Sequence, residues 1–375
     1  KTGGGGVVLA QNDSVPEAEI RAALRRAGLD SGGKKEQYNY SFFWRNGAIV
    51  NRSDEAILLN GVYIKSLIGV DYSRIHAELK KSHAERCVAP RDSFFMFEGR
   101  AYAGYRNYRT DDYRPALISL VDIQKKYAPG VSLWKCLFQI NDLLLTDDLT
   151  HYRLDEDFLD TVAVHLPGRI ETLDGKGVLD VCLIRMYTKE PHMLSKRNAG
   201  RTFVCESGDR LVLNPYQGLP PQTLFFVNRQ NVGHFAGIDV DSLLRMPAGD
   251  YRISAGTLRE AGKPLRIVHL ESGKYDPDWV SLEEIAARFV PDDARNHCLF
   301  LLNGVPLYRD LGDVRIDRNY IHTVYCHKPG EIERLNGGTQ AYLHVVEIGC
   351  KDRFSRDTAK LYLGLGEGDI VVPTE

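Results

Sequence analysis

The stretch from Leu224 to Val290 constrains the fold more than any other part of the chain. Leu224–Asn228 and Pro264–Leu270 are apolar runs of strand length, and Tyr251, Ile253 and Ala255 alternate with polar neighbours, so a period of two is predicted there. After Tyr275, Asp276-Pro277 interrupts the pattern. Ser281 stands three residues before Glu284, the spacing of a capping box, and Leu282, Ile285 and Phe289 then share one helical face. The stretch therefore reads as short strands closed by an amphipathic helix.

A length of 375 residues suits two domains with a sizeable core, and a formal net charge of −2 with dispersed Lys and Arg argues against a nucleic-acid surface. No apolar run approaches the roughly 20 residues of a membrane-spanning helix. Seven cysteines (Cys87, Cys136, Cys182, Cys205, Cys298, Cys326, Cys350) are odd in number and form no framework, as in reduced thiols of a cytosolic protein.

Along the chain, residues 1–14 are Gly-rich and polar, and a flexible lead-in is expected. Val15–Leu29 and Tyr72–Cys87 have helical spacing, while Tyr38–Val50 and Ala56–Gly69 read as strands joined by a turn at Asn51. Pro115–Leu149 reads as helical with a break at Pro129-Gly130, and a domain boundary is placed near residue 150. Beyond it the signals are mostly strands, at Val162–His165, Val178–Tyr187, Phe203–Leu213, Cys298–Tyr308, Ile321–Cys326, Ala341–Ile348 and Ala359–Leu365. The expected class is α+β, with a mixed α/β domain over 15–150 and a β-rich domain over 151–375, a curled sheet or barrel. Leu58-Leu59-Asn60-Gly61-Val62 and Leu301-Leu302-Asn303-Gly304-Val305 rhyme. Strand-Asn-Gly-strand is a common hairpin sequence, and the two are read that way rather than as an internal duplication.

Several residues are candidates for chemistry. Ser272-Gly273-Lys274-Tyr275 brings a hydroxyl, a cation and a phenol to one turn, whose N–H groups favour an anion. A structural turn packed by Tyr275 is the plainer reading. His234 and His269 would form an acid–base pair if they met across the sheet. Cys205 and Cys298 are the candidate thiols, and His322, Cys326 and His327 lack a fourth ligand at zinc spacing, so no metal site is expected.

The run SAGTLREAGKPLRIVHLESGKYDPDWVSLEEIAARF over Ser254–Phe289 resembles the C-terminal module of the plant and fungal IQ-motif calmodulin-binding proteins and bacterial toxin-like relatives. Lys274 stands where that module has histidine, and His234-Phe-Ala-Gly replaces its usual His-Ser-Ser. The resemblance implies a protein partner, calmodulin among the options, and Asp122–Tyr127 with Trp134 is faintly similar to a calmodulin-target helix. GEIERLNGGTQAYLHVVEIG over Gly330–Gly349 is similar to the final Glu-x-Glu motif of ADP-ribosyltransferases. That resemblance implies NAD as cofactor. Glu333 would stabilise an oxocarbenium-like transition state, Glu331 would orient the acceptor, Arg229 would hold the diphosphate and Ser254 would brace the site. Arg309 lies too close before Glu331 for the intervening elements. An effector or toxin-type enzyme modifying a host protein is the expected function, and a non-catalytic interaction module is the alternative.

Overall fold

A strand that ends in asparagine and turns sharply back on itself occurs at Asn60, Asn141, Asn228 and Asn303, and the fold is built on this repetition. The computed structural model describes residues 8–11, 42–45, 48–51, 55–79, 85–88, 93–97, 100–102, 104–189, 201–204, 210–213, 223–233, 237–239, 242–243, 246–247, 249–260 and 263–350. Each asparagine has positive φ, at 50°, 49°, 47° and 53° respectively, the left-handed region in which its short polar side chain is tolerated. Gly61, Asp142, Arg229 and Gly304 follow, also at positive φ, which makes the tight two-residue reversal that suits strand twist.

Each reversal opens a four-stranded sheet, and the four sheets share one strand order. The first comprises Glu55–Leu59, Val62–Tyr63, Glu85–Val88 and Gly104–Tyr108; the second Cys136–Ile140, Leu143–Leu145, Leu159–His165 and Cys182–Thr188. The third comprises Thr223–Val227, Gln230–Asn231, Tyr251–Glu260 and Lys263–Ser272; the fourth Cys298–Leu302, Val305–Pro306, Ile321–His327 and His344–Cys350. In every case the first and last strands pair in parallel at the centre, and the other two flank them antiparallel. This is a hairpin–crossover–hairpin sheet.

The asparagine staples each sheet. Its N–H donates to the last strand, at Tyr108, Met186, Leu270 and Ile348, and its Oδ1 accepts the N–H two residues further on, from Thr110 (2.8 Å), Thr188 (3.0 Å), Ser272 (2.9 Å) and Cys350 (2.8 Å). One side chain thus satisfies backbone groups that the end of the sheet would otherwise leave unpaired.

The repetition has a longer period as well. From Pro115 to Thr188 and from Pro277 to Cys350 the chain aligns without a gap at a separation of 162 residues, matching Ser119 with Ser281, Cys136 with Cys298, Asn141 with Asn303, Asp155 with Asp317, His165 with His327 and Glu171 with Glu333. Even the register shift of the third strand recurs, between Leu159 and Thr161 and between Ile321 and Thr323. The same offset relates Tyr113 to Tyr275, and Asn60 and Asn228 match at a separation of 168, so the first and second modules correspond in order to the third and fourth. The rhyming Asn-Gly fragments are hairpins, as read: Leu58 and Leu59 pair with Tyr63 and Val62, and Leu301 and Leu302 with Pro306 and Val305, in the first and fourth modules, which the 162-residue separation does not relate.

The chain forms two compact units, residues 1–117 with 151–156, and residues 118–150 with 157–375. In the first, Leu59, Ile64, Val70, Ile75, Tyr108 and Tyr113 form the core on one face of the sheet, and Phe95, Phe97 and Tyr102 cover the other face over Ala56 and Leu58. In the second, Phe225, Val227, Ile253, Val268 and Leu270 build one core, and the helix Leu282–Phe289 buries Leu282, Ile285 and Ala286 against Phe300, Val346 and Ile348. Ser281 and Glu284 form the predicted capping box, and Ser119 and Asp122 form its counterpart at Leu120–Tyr127.

An α+β class with few helices and many strands stands, but the curled sheet or barrel does not: the strands lie in several small sheets, with no closed barrel among the described residues. The helix expected over Pro115–Leu149 is confined to Leu120–Tyr127, because Cys136–Ile140 is a strand buried on both faces and shows none of the alternation expected of a half-exposed strand. The helix expected over Tyr72–Cys87 ends at Leu79, and Glu85–Val88 is a strand. Within the 1–14 lead-in, Val8–Gln11 pairs with Ser93–Phe97. The elements expected at Val15–Leu29 and Ala359–Leu365 lie outside the described residues. The boundary near residue 150 becomes an exchange, in which 118–150 joins the later unit and 151–156 the earlier one.

Candidate functional site

Glu333 lies where the second and fourth modules meet. These two sheets pack through the faces opposite their own helical cores, with Leu137, Ile170, Val181 and Leu183 against Leu299, Ile332, Leu343 and Val345. Every residue in the first set has its partner in the second 162 positions later, so the seam has pseudo-two-fold symmetry. Burial of each such side chain contributes about 1.5–3 kcal/mol. The Glu333 carboxylate accepts the N–H of Asp148, and the Glu333 N–H donates to Thr146 O at 2.8 Å. At the matching place, the Glu171 carboxylate accepts the N–H of Asp310 at 2.9 Å and the Glu171 N–H donates to Tyr308 O at 3.0 Å. Asp148 and Asp310 both have φ of 52°, so each glutamate satisfies a left-handed turn of the opposite module. Glu331 is exposed and accepts the N–H of Lys328 at 2.8 Å.

Arg229 lies in the third module. It lines an open cleft of about 370 Å³ together with Asp250, Arg252, Glu271 and Ser272; neither Ser254 nor either of the two glutamates, Glu331 and Glu333, is among the lining residues. Arg229 and Ser272 are thus brought together, and the Glu333–Arg229 constellation is not assembled in this cleft. Ser272 Oγ donates to Asp250 O at 2.9 Å and accepts the N–H groups of Lys274 and Tyr275, each at 3.2 Å. The turn amides that would have held an anion are therefore satisfied internally. Lys274 Nζ pairs with Asp250 at 2.7 Å.

Tyr275 is a buried brace: its hydroxyl donates to Asp317 Oδ2 and accepts the Asp239 N–H, both at 3.2 Å. Burial pushes its phenol far above the ordinary range and, with Asp239 nearby, raises the Asp317 carboxyl. Tyr113 makes the same contacts with Asp71 and Asp155 in the first unit. Ser254 is half-buried and opposite His269, whose ring stacks on Phe226 with centroids 4.8 Å apart. His234 and Cys205 lie outside the described residues. The Cys298 thiol is pushed up to about 12 by burial first and by Cys326 second, so at neutral pH it stays protonated and is a poor nucleophile. His327 pairs with Glu347 at 2.6 Å, and no group of three metal-ligating side chains occurs among the described residues.

An aromatic and basic patch lies at the rim of the seam. Trp134 is 37% exposed and Tyr342 36%. Lys135 Nζ lies 4.9 Å from the Trp134 ring centroid and the Arg334 guanidinium carbon 5.6 Å from it. Lys135 is also paired with Asp180 at 2.7 Å, whereas Arg334 has no carboxylate partner among the described residues and its Nε is buried without a hydrogen bond. Sequence reasoning singled out Trp134 but missed Arg334 and Glu171. The signal for both was the match between Pro167-Gly-Arg-Ile-Glu-Thr-Leu-Asp-Gly and Pro329-Gly-Glu-Ile-Glu-Arg-Leu-Asn-Gly.

Comparison of the chain with protein-family models, curated proteins and solved structures found no match. No helix among the described residues is long and apolar enough to cross a membrane.

Proposed function

We propose that the chain is a non-catalytic protein-interaction protein, a duplicated pair of small β modules that presents the Trp134 patch to an acidic segment of a partner. The observation that carries this reading is the Arg334 guanidinium, without a carboxylate partner among the described residues, held over an exposed tryptophan on the rim of a well-packed seam. Arginine and tryptophan are the side chains that most often anchor protein interfaces, and a cation without an internal counter-ion favours a carboxylate from outside. An acidic protein of the calmodulin kind has the right chemistry.

The ADP-ribosyl transfer alternative needs Glu333 free to face a cofactor held by Arg229. The participation of Glu333 in a matched pair of backbone bonds speaks against that role. The immobilised chain should retain calmodulin or another acidic protein in a pull-down, and Trp134→Ala and Arg334→Ala should each weaken retention at least fivefold. Retention unchanged in both variants would sink the reading. So would a band labelled from NAD that vanishes in Glu333→Gln.

A further inference from the structure

The four tight reversals differ at one position, and the difference singles out the third module. After the stapling asparagine the first and fourth modules have Gly61 and Gly304, at φ of 83° and 76°, where glycine is the unstrained choice. The second has Asp142, at φ 66°, and its carboxylate is engaged: Arg185 Nη2 and Tyr187 Oη both donate to its Oδ1 at 2.7 Å. The third has Arg229, at φ 71°, a long side chain in a conformation that disfavours one. Arg229 is exposed, and no ion pair or hydrogen bond engages its guanidinium among the described residues.

The surrounding charge fits an anion. Asp250 in the cleft wall is paired with Lys274 at 2.7 Å, and Arg252 and Glu271 line the cleft beside Arg229, so Arg229 is the cation to which no carboxylate is paired among the described residues. Ser272 lies in the floor, at the point where Asn228 staples the sheet. A guanidinium fork on a rigid reversal is well suited to bidentate contact with an oxyanion.

We infer that the cleft beside Arg229 binds an oxyanion, either the carboxylate of an acidic peptide segment or a free phosphate. The inference deepens the interaction reading and rests on it, because it gives the same chain a second, separate anchor for an acidic partner. The backbone strain at Arg229, which no ion pair or hydrogen bond of its guanidinium among the described residues repays, is offset by that ligand.

Hexaglutamate peptide and inorganic phosphate, each titrated calorimetrically into the full chain, test it. At least one should bind saturably, and Arg229→Gly, which installs the residue of the sister modules, should weaken binding tenfold or more while leaving the unliganded melting temperature equal or higher. Arg229→Lys, which keeps the charge and loses the fork, should fall between, and Trp134→Ala should leave the Arg229-dependent component unchanged. Peptide binding alone assigns the ligand to a protein segment; phosphate binding alone assigns it to the free ion. Equal affinity of wild type and Arg229→Gly for both probes, or binding of neither to wild type, overturns the site and leaves the Trp134 pull-down to stand or fall by itself.

Discussion

Glu171 and Glu333 are separated by 162 residues and perform one task in opposite directions: each carboxylate accepts the backbone N–H of an aspartate in the other's module, Asp310 and Asp148 respectively. A reciprocal arrangement of this kind is what gene-internal duplication followed by face-to-face packing produces. It turns the most attractive catalytic candidate in the sequence into one half of a structural pair.

The asparagine staple supplies a graded test. At Asn228, alanine would lose two side-chain hydrogen bonds, to the Ser272 N–H and the Tyr275 carbonyl, and would also place a Cβ without compensation at φ 47°. Asn228→Ala should cost about 3 kcal/mol, and Asn228→Gly, which tolerates the conformation, only about 1–2 kcal/mol. Urea unfolding of the two variants checks the order. Equal costs would show that the left-handed backbone contributes nothing.

Gly69 and Gly237 occupy matching places in the duplication, yet their surroundings differ. A Cβ on Gly237 would sit 2.6 Å from the Arg315 carbonyl oxygen and 3.0 Å from Ile316 Cα, whereas one on Gly69 would meet the side chain of Leu154 at 2.5 Å. Backbone cannot swing aside as a leucine can. Gly237→Ala should therefore destabilise by about 2–4 kcal/mol and Gly69→Ala by about 1–2 kcal/mol, measured by thermal unfolding of each variant.

Much of this was legible in the sequence, and the losses have physical causes. The capping box at Ser281 and the hairpin strands of the third module followed from spacing and alternation, since that sheet keeps a half-exposed face. Cys136–Ile140 misled because packing on both sides removes alternation and leaves a continuous apolar run, which a helix also shows. Glu333 misled for a related reason. A Glu-x-Glu before a strong strand says nothing about direction, and its carboxylate is directed by a turn 185 residues earlier. Tyr275 and Ser272 were located correctly as a turn, and the structure uses both in holding that turn to Asp317 and Asp250.

His344 gives a pH dependence with a definite sign. Burial lowers its pKa first, and Lys328 and His297 add to that against the opposing effect of Glu331. The folded chain thus favours neutral His344, while the unfolded chain takes up a proton near pH 6.5. The stability contributed is complete above about pH 6.5 and is lost as pH falls through that value toward the lower folded one. His165, lowered by burial and by Arg185, acts in the same sense. Urea midpoints should decline from pH 7.5 to 5.5, less steeply in His344→Leu. A variant slope equal to that of wild type would contradict this.

The most direct measurement compares Glu171→Gln and Glu333→Gln side by side, by urea unfolding and by transfer of label from NAD to host-cell lysate. Each substitution keeps an acceptor but removes a charge, so each should lose about 1 kcal/mol, the two alike within error, with labelling no different from wild type. Unchanged stability in both variants, with labelling abolished by Glu333→Gln alone, would contradict the account and restore Glu333 to catalysis.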